Sequence, residues 1–162
     1  MTRKLTAASL ATLIWTMSVF TVACGIPIAP LKSAITAFTP VIQILVDQHK
    51  ITPAQRDAYT ADTNKLLDAF GVLESDFNIA KTKVDKFEAV RKFANTVTPI
   101  VGDFANVPQL GTAGIILNAT ISTVEAFYSS APAASPNAPK TERELADYVK
   151  KQSAAMQAVL GK

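Results

Sequence analysis

From Leu66 to Phe87 the apolar positions Leu66, Phe70, Leu73, Phe77, Ala80, Val84 and Phe87 are separated by alternating gaps of four and three. That repeat is the seam of packed helices, and it excludes strands, whose faces repeat every second residue. The phase continues towards Val90, Ala94 and Val97. Thr52-Pro53-Ala54-Gln55 opens the region with a capping box: a threonine cap, proline at the first helical position and glutamine three residues after the cap. One unbroken helix from Pro53 to Val97 would be about 68 Å long, against a radius of gyration of about 14 Å for a compact chain of this size. The spacing therefore predicts an elongated bundle with one long central helix, or else a helical hairpin broken near Gly71. Register kept across Gly71 favours continuity. Acidic Asp57, Asp62 and Asp68 early, and basic Lys86, Arg91 and Lys92 late, suit the helix dipole.

The flanking segments also read as helix. Leu31, Ile35, Phe38, Ile42 and Leu45 form one stripe, with Pro40 implying either a fresh start capped by Thr39 or a kink. Thr98-Pro99 predicts a helix end, because the residue before proline resists the helical region. Residues 99–111, with Pro99, Gly102, Pro108 and Gly111, then read as a loop holding at most one helical turn. In 111–128, Leu117, Ile121, Val124 and Tyr128 share a stripe and Glu125 is the only charge, which predicts a buried bundle helix or, as the competing reading, a membrane-inserted segment. Residues 129–140 are rich in Ala, Ser and Pro and read as a linker. Thr141 and Glu144 form a second capping box for a C-terminal amphipathic helix that Gly161 is placed to end. Its stripe, Leu145, Val149, Met156 and Val159, is the candidate partner-binding face, with docking on its own bundle the simpler use.

The N-terminus carries a different signal. Arg3 and Lys4 precede a run from Leu5 to Leu31 without a charged side chain, the pattern of a secretory signal peptide or of a retained membrane anchor. Thr21-Val22-Ala23-Cys24 closes the apolar part and resembles the lipobox of bacterial lipoprotein precursors, departing from it at Thr21, where leucine is usual. The resemblance implies cleavage before Cys24, diacylation of its thiol, and a lipid-anchored protein of the bacterial cell envelope facing the periplasm or the exterior. Gly25 in place of aspartate implies the outer membrane where there are two. The chain thus divides into a signal or anchor at 1–23, a helical domain at 24–128, a linker at 129–140 and the C-terminal helix at 141–162.

Charge and cysteine content narrow the rest. The full chain has 16 basic and 13 acidic residues. Removal of residues 1–23 leaves 14 against 13, so the basic balance belongs largely to the signal and gives no warrant for a nucleic-acid partner. Cys24 is the only cysteine, and stability must come from packing rather than an intramolecular disulfide.

The residues offer little chemistry. His49 is the only histidine, at a helix end and two residues from Asp47, so the two do not share a helical face for a metal. The carboxylates of Asp57, Asp62, Asp68, Glu74, Asp76, Asp85 and Glu88 read as solvated faces without the motif of a carboxylate-bridged metal site. No phosphate loop, Cys-x-x-Cys pair or nucleophile elbow is present. Lys81, Lys83, Lys86, Arg91 and Lys92 suit anionic lipid headgroups or acidic polymers, although Asp85 and Glu88 are interleaved. The expectation is a non-enzyme without cofactor or metal. Its role is structural or protein-interacting, through a partner or a second copy, or alternatively membrane-active or hydrophobic-ligand-binding through 111–128.

Overall fold

The computed structural model describes residues 26–129 and 137–161. The expected signal or anchor at 1–23, Cys24 and the centre of the Ala/Ser/Pro linker lie outside the described residues. Six helices account for nearly all of the rest: α1 (Pro30–Thr36), α2 (Phe38–Asp47), α3 (Pro53–Ile79), α4 (Lys83–Phe104), α5 (Pro108–Tyr128) and α6 (Glu142–Leu160). The protein is an all-α bundle.

The long central helix is two helices. α3 ends at Ile79, and Thr82 starts α4 with a capping box in which its hydroxyl accepts from the Asp85 N–H and the Asp85 carboxylate accepts from the Thr82 N–H. The break is therefore neither absent nor at Gly71, which sits inside α3 with open space around it. Leu66, Phe70, Leu73 and Phe77 are buried along α3, but Val84 is 62% exposed. α4 buries its own series, Val90, Phe93, Val97, Ile100 and Phe104. Two separate helical seams, facing each other across a turn, happened to share a phase along the chain.

Pro99 does not end a helix. α4 continues through it to Phe104. Proline removes the hydrogen bond to the Asn95 carbonyl, while the Thr98 hydroxyl donates to the Ala94 carbonyl at 2.9 Å and Ile100 and Phe104 gain burial by continuing. The expected loop at 99–111 shrinks to Ala105–Val107, and α5 begins at Pro108, the residue type favoured at a first helical position. Near Pro40, α1 stops at Thr36. Thr36 is four residues before the proline, so its carbonyl loses the partner that proline cannot provide, and the chain re-enters α2 through a kink at Ala37.

Successive helices α3, α4, α5 and α6 pack as neighbours, α1 lies against both α6 and α3, and α2 covers α3. α5 therefore sits between α4 and α6. Its buried residues include Leu110, Leu117, Ile121, Val124 and Tyr128, while Ile115 on the opposite side is 68% exposed. Both expected capping boxes are present, at Thr52 with Gln55 and at Thr141 with Glu144. α6 packs on α5 and α1, so the C-terminal helix belongs to the same bundle as the residues before the linker.

The two ends of the bundle are built differently. At the end holding the α4–α5 turn, the Phe38 and Phe104 rings stack at 5.1 Å between centroids and Tyr59 meets Phe104 edge-on at 5.8 Å. At the end holding the α3–α4 turn, aromatic rings share space with charged groups.

Candidate functional site

Two caps and one helix end bring that second cluster together. The Thr82 box fixes the first turn of α4 and with it Lys83 and Lys86, the Thr141 box fixes Glu142 as the first residue of α6, and the end of α5 delivers Phe127 and Tyr128. Lys86 Nζ lies 2.7 Å from Glu142 Oε1, and the Tyr128 hydroxyl donates to the same oxygen at 3.4 Å. The Lys86 ammonium also stands 5.3 Å from the Tyr128 ring centroid and 5.8 Å from that of Phe77, while Lys83 stands 5.3 Å from the Phe127 ring. Phe77 packs edge-on against Tyr128.

The electrostatics follow from these contacts. The hydrogen bond from Lys86 is the main cause holding Glu142 below the ordinary glutamate range, opposed by partial burial and aided by the Tyr128 hydroxyl. Burial, and then the Glu142 carboxylate beside it, push the Tyr128 phenol up, so it remains protonated through the physiological range. A protonated phenol and a paired carboxylate make a structural join between α4, α5 and α6 rather than an acid–base pair. Asp85, next to this cluster, is lowered by hydrogen bonds from the Thr82 side chain and from the backbone N–H groups of Thr82 and Lys81.

The α6 stripe lies elsewhere. Leu145, Val149 and Met156 are fully buried and Val159 packs partly buried against the same core. Of the two uses open to that stripe, the structure has the docking at home. Ser153, on the same face, is buried with its hydroxyl unpartnered. Cys24, the expected lipid attachment point, lies outside the described residues, two positions before Ile26.

His49 is exposed and its backbone performs a specific task. It takes φ 55°, its N–H donates to the Val46 carbonyl, and the Lys50 N–H donates to the Leu45 carbonyl. This is a Schellman ending of α2 with histidine in the left-handed position where glycine is usual. Among the described residues, no group of three or more His, Cys, Asp or Glu side chains is placed to hold a metal ion. The carboxylates of α3 and α4 lie mainly on the surface, as the sequence suggests, except Asp62, which is 9% exposed with Lys65 Nζ at 2.9 Å.

A shallow groove of about 430 Å³ lies between the end of α4 and the start of α5, lined by Val101, Gly102, Ala105, Gly111 and Ile115. Its closeness depends on glycine: a Cβ at Gly111 would stand 3.1 Å from Ala105 Cα and 3.3 Å from the Phe104 carbonyl oxygen. Comparison with known proteins returned no matching family model, no matching curated protein and no matching solved structure.

The Lys86–Glu142–Tyr128 contact was invisible in the sequence, since it joins residues on three helices across the linker. Only its parts were legible: the aromatic pair at the end of 111–128 and the acidic residue following a capping threonine.

Proposed function

We propose that the protein is an exported, lipid-anchored helical bundle with a structural or protein-interaction role at the bacterial cell envelope, facing the periplasm or the exterior. The observation that carries this reading is Thr21-Val22-Ala23-Cys24 within the charge-free run from Leu5 to Leu31, followed closely by the packed helices from Pro30 onward. An acylated Cys24 would tether the bundle without a transmembrane helix, because several acyl chains hold a protein at a membrane stably where one does not.

The alternative, a membrane-active or hydrophobic-ligand-binding protein that uses 111–128, has one specific observation in its favour: α5 is long and apolar enough to cross a bilayer. Against it, Leu117, Ile121, Val124 and Tyr128 already pack in the core, and insertion would separate α4 from α6. Core helices of soluble proteins pass the same length and hydropathy criterion.

Metabolic labelling with a palmitate analogue tests the anchor. The wild type incorporates label and fractionates with membranes, and Cys24→Ala loses the label. A membrane-bound wild type without label would contradict the lipid and favour a retained N-terminal span.

A further inference from the structure

The α3–α4 turn brings exposed apolar and basic side chains together within six residues of chain. Ile79 is 72% exposed and Val84 62% exposed, on either side of a turn that holds Lys81, with Lys83 at the first position of α4. Scattered exposed apolar residues are ordinary, but two large ones beside two lysines on a single tip make an amphipathic edge. Asp76, Asp85 and Glu88 stand beside Ile79 and Lys81, but Asp85 has its carboxylate occupied by the Lys81 and Thr82 backbone N–H groups and Asp76 faces Lys92 at 3.5 Å. Glu88 lies one turn further into α4.

The entry of the chain points to what covers this tip. Lys32 Nζ reaches Glu74 in the last third of α3 at 2.8 Å, while Ser33 accepts from Gln157 late in α6 and Phe38 stacks on Phe104 at the end of the bundle opposite the α3–α4 turn. α1 thus runs away from the α3–α4 turn, and the chain enters it from the side of that turn. Ile28 is already buried in the core. Between Cys24 and Ile26 the backbone reaches at most about 7 Å, so a lipid on Cys24 would hold the bundle close against the bilayer rather than on a long leash.

We propose that the α3–α4 turn is a membrane-docking surface, with Ile79 and Val84 entering the headgroup boundary of the bilayer and Lys81 and Lys83 meeting anionic lipid phosphates. The occupant is an anionic phospholipid surface. Lysine stems cover apolar surface while the ammonium stays at headgroup level, and anionic lipid attracts such residues over a Debye length. This inference rests on the lipid-anchor reading for the direction of approach, and it deepens that reading by assigning the membrane-facing end.

Trp15 is the only tryptophan in the chain, which makes a direct test available. In the full-length protein carrying Trp15→Phe, Ile79→Trp reports the proposed tip, and Ile44→Trp reports an exposed residue of α2 towards the opposite end. Each protein is purified from membranes and reconstituted on vesicles of phosphatidylcholine and phosphatidylglycerol containing brominated phosphatidylcholine as quencher. Tryptophan at 79 should be quenched at least about twofold more strongly than at 44 and shift to shorter wavelength, as for a side chain at the acyl boundary. Adding Lys81→Glu and Lys83→Glu should reduce that difference. Equal quenching at 79 and 44 in a vesicle-bound protein would overturn the docking surface and leave the anchor standing. Quenching at 79 in a chain whose Cys24 carries no lipid would retain the docking surface and remove the anchor.

Discussion

The two ends of the bundle solve the same problem, turning one helix into the next, by different means. At the α4–α5 end, Phe38, Tyr59 and Phe104 close the core and Val107 and Leu110 follow them into it, so the turn is sealed by burial. At the α3–α4 end, the turn is held by a capping box, ion pairing and cation–ring contacts, and Ile79 and Val84 are left outside. The contrast separates an end whose aromatic rings close the core, with Ile44 and Ile115 exposed on its flanks, from one whose turn itself leaves apolar and basic side chains available to another surface.

The contrast predicts where the protein breaks. Phe104→Ala should have the largest effect, a loss of about 3–5 kcal/mol, because a fully buried ring in contact with two others leaves a cavity. Chemical denaturation of the wild type and variant measures it. Gly111→Ala should follow with about 1–2 kcal/mol, since the new methyl meets backbone of Phe104 and Ala105 that cannot rotate away. A neutral result there would mean that the α4–α5 end is looser than described.

At the opposite end the effects should be smaller. Thr82→Ala removes the cap of α4 and should cost about 1 kcal/mol, with loss of amide protection confined to the first turn of that helix in hydrogen exchange. The Lys86–Glu142 pair should contribute least, at most about 1 kcal/mol, because the Glu142 side chain is 57% exposed and solvent screens the pair. Its sign with pH is fixed. Glu142 is depressed in the folded state, so the contribution is fully present above the ordinary glutamate value of 4.5 and is lost as pH falls through the lower folded value. Comparing stability of wild type and Glu142→Gln across that window should show the difference closing on the acidic side. A difference that grows with acidification would contradict the pairing.

How much of this was legible in the sequence depended on whether the deciding contacts were local. The boxes at Thr52–Gln55 and Thr141–Glu144 were readable because cap and partner are three residues apart and both bonds are in the chain's own first turn. Thr82–Asp85 has the same geometry, but aspartate stands where the usual pattern has glutamate or glutamine, and the apolar spacing through Ala80 and Val84 ran across it. The repeat was real on each side of the turn and misleading over it. Pro99 failed in the other direction. A local rule ended the helix there, while Val97, Ile100 and Phe104 continued one buried stripe. The tertiary gain from those side chains outweighed one missing hydrogen bond.

The candidate site was less readable still. The stripe of Leu145, Val149 and Met156 was legible as an apolar helix face, but only the fold shows that it packs on its own bundle. Lys81 and Lys83 belonged to a mixed charge run until the turn between α3 and α4 placed them on a tip beside Ile79 and Val84.

Everything about the direction of that tip depends on Cys24. Intact mass measurement of the protein extracted from membranes tests the anchor most directly. The account predicts a chain that begins at Cys24 and carries the added mass of a diacylglyceryl group. An unmodified chain beginning at Cys24, or a chain retaining Met1, would contradict it.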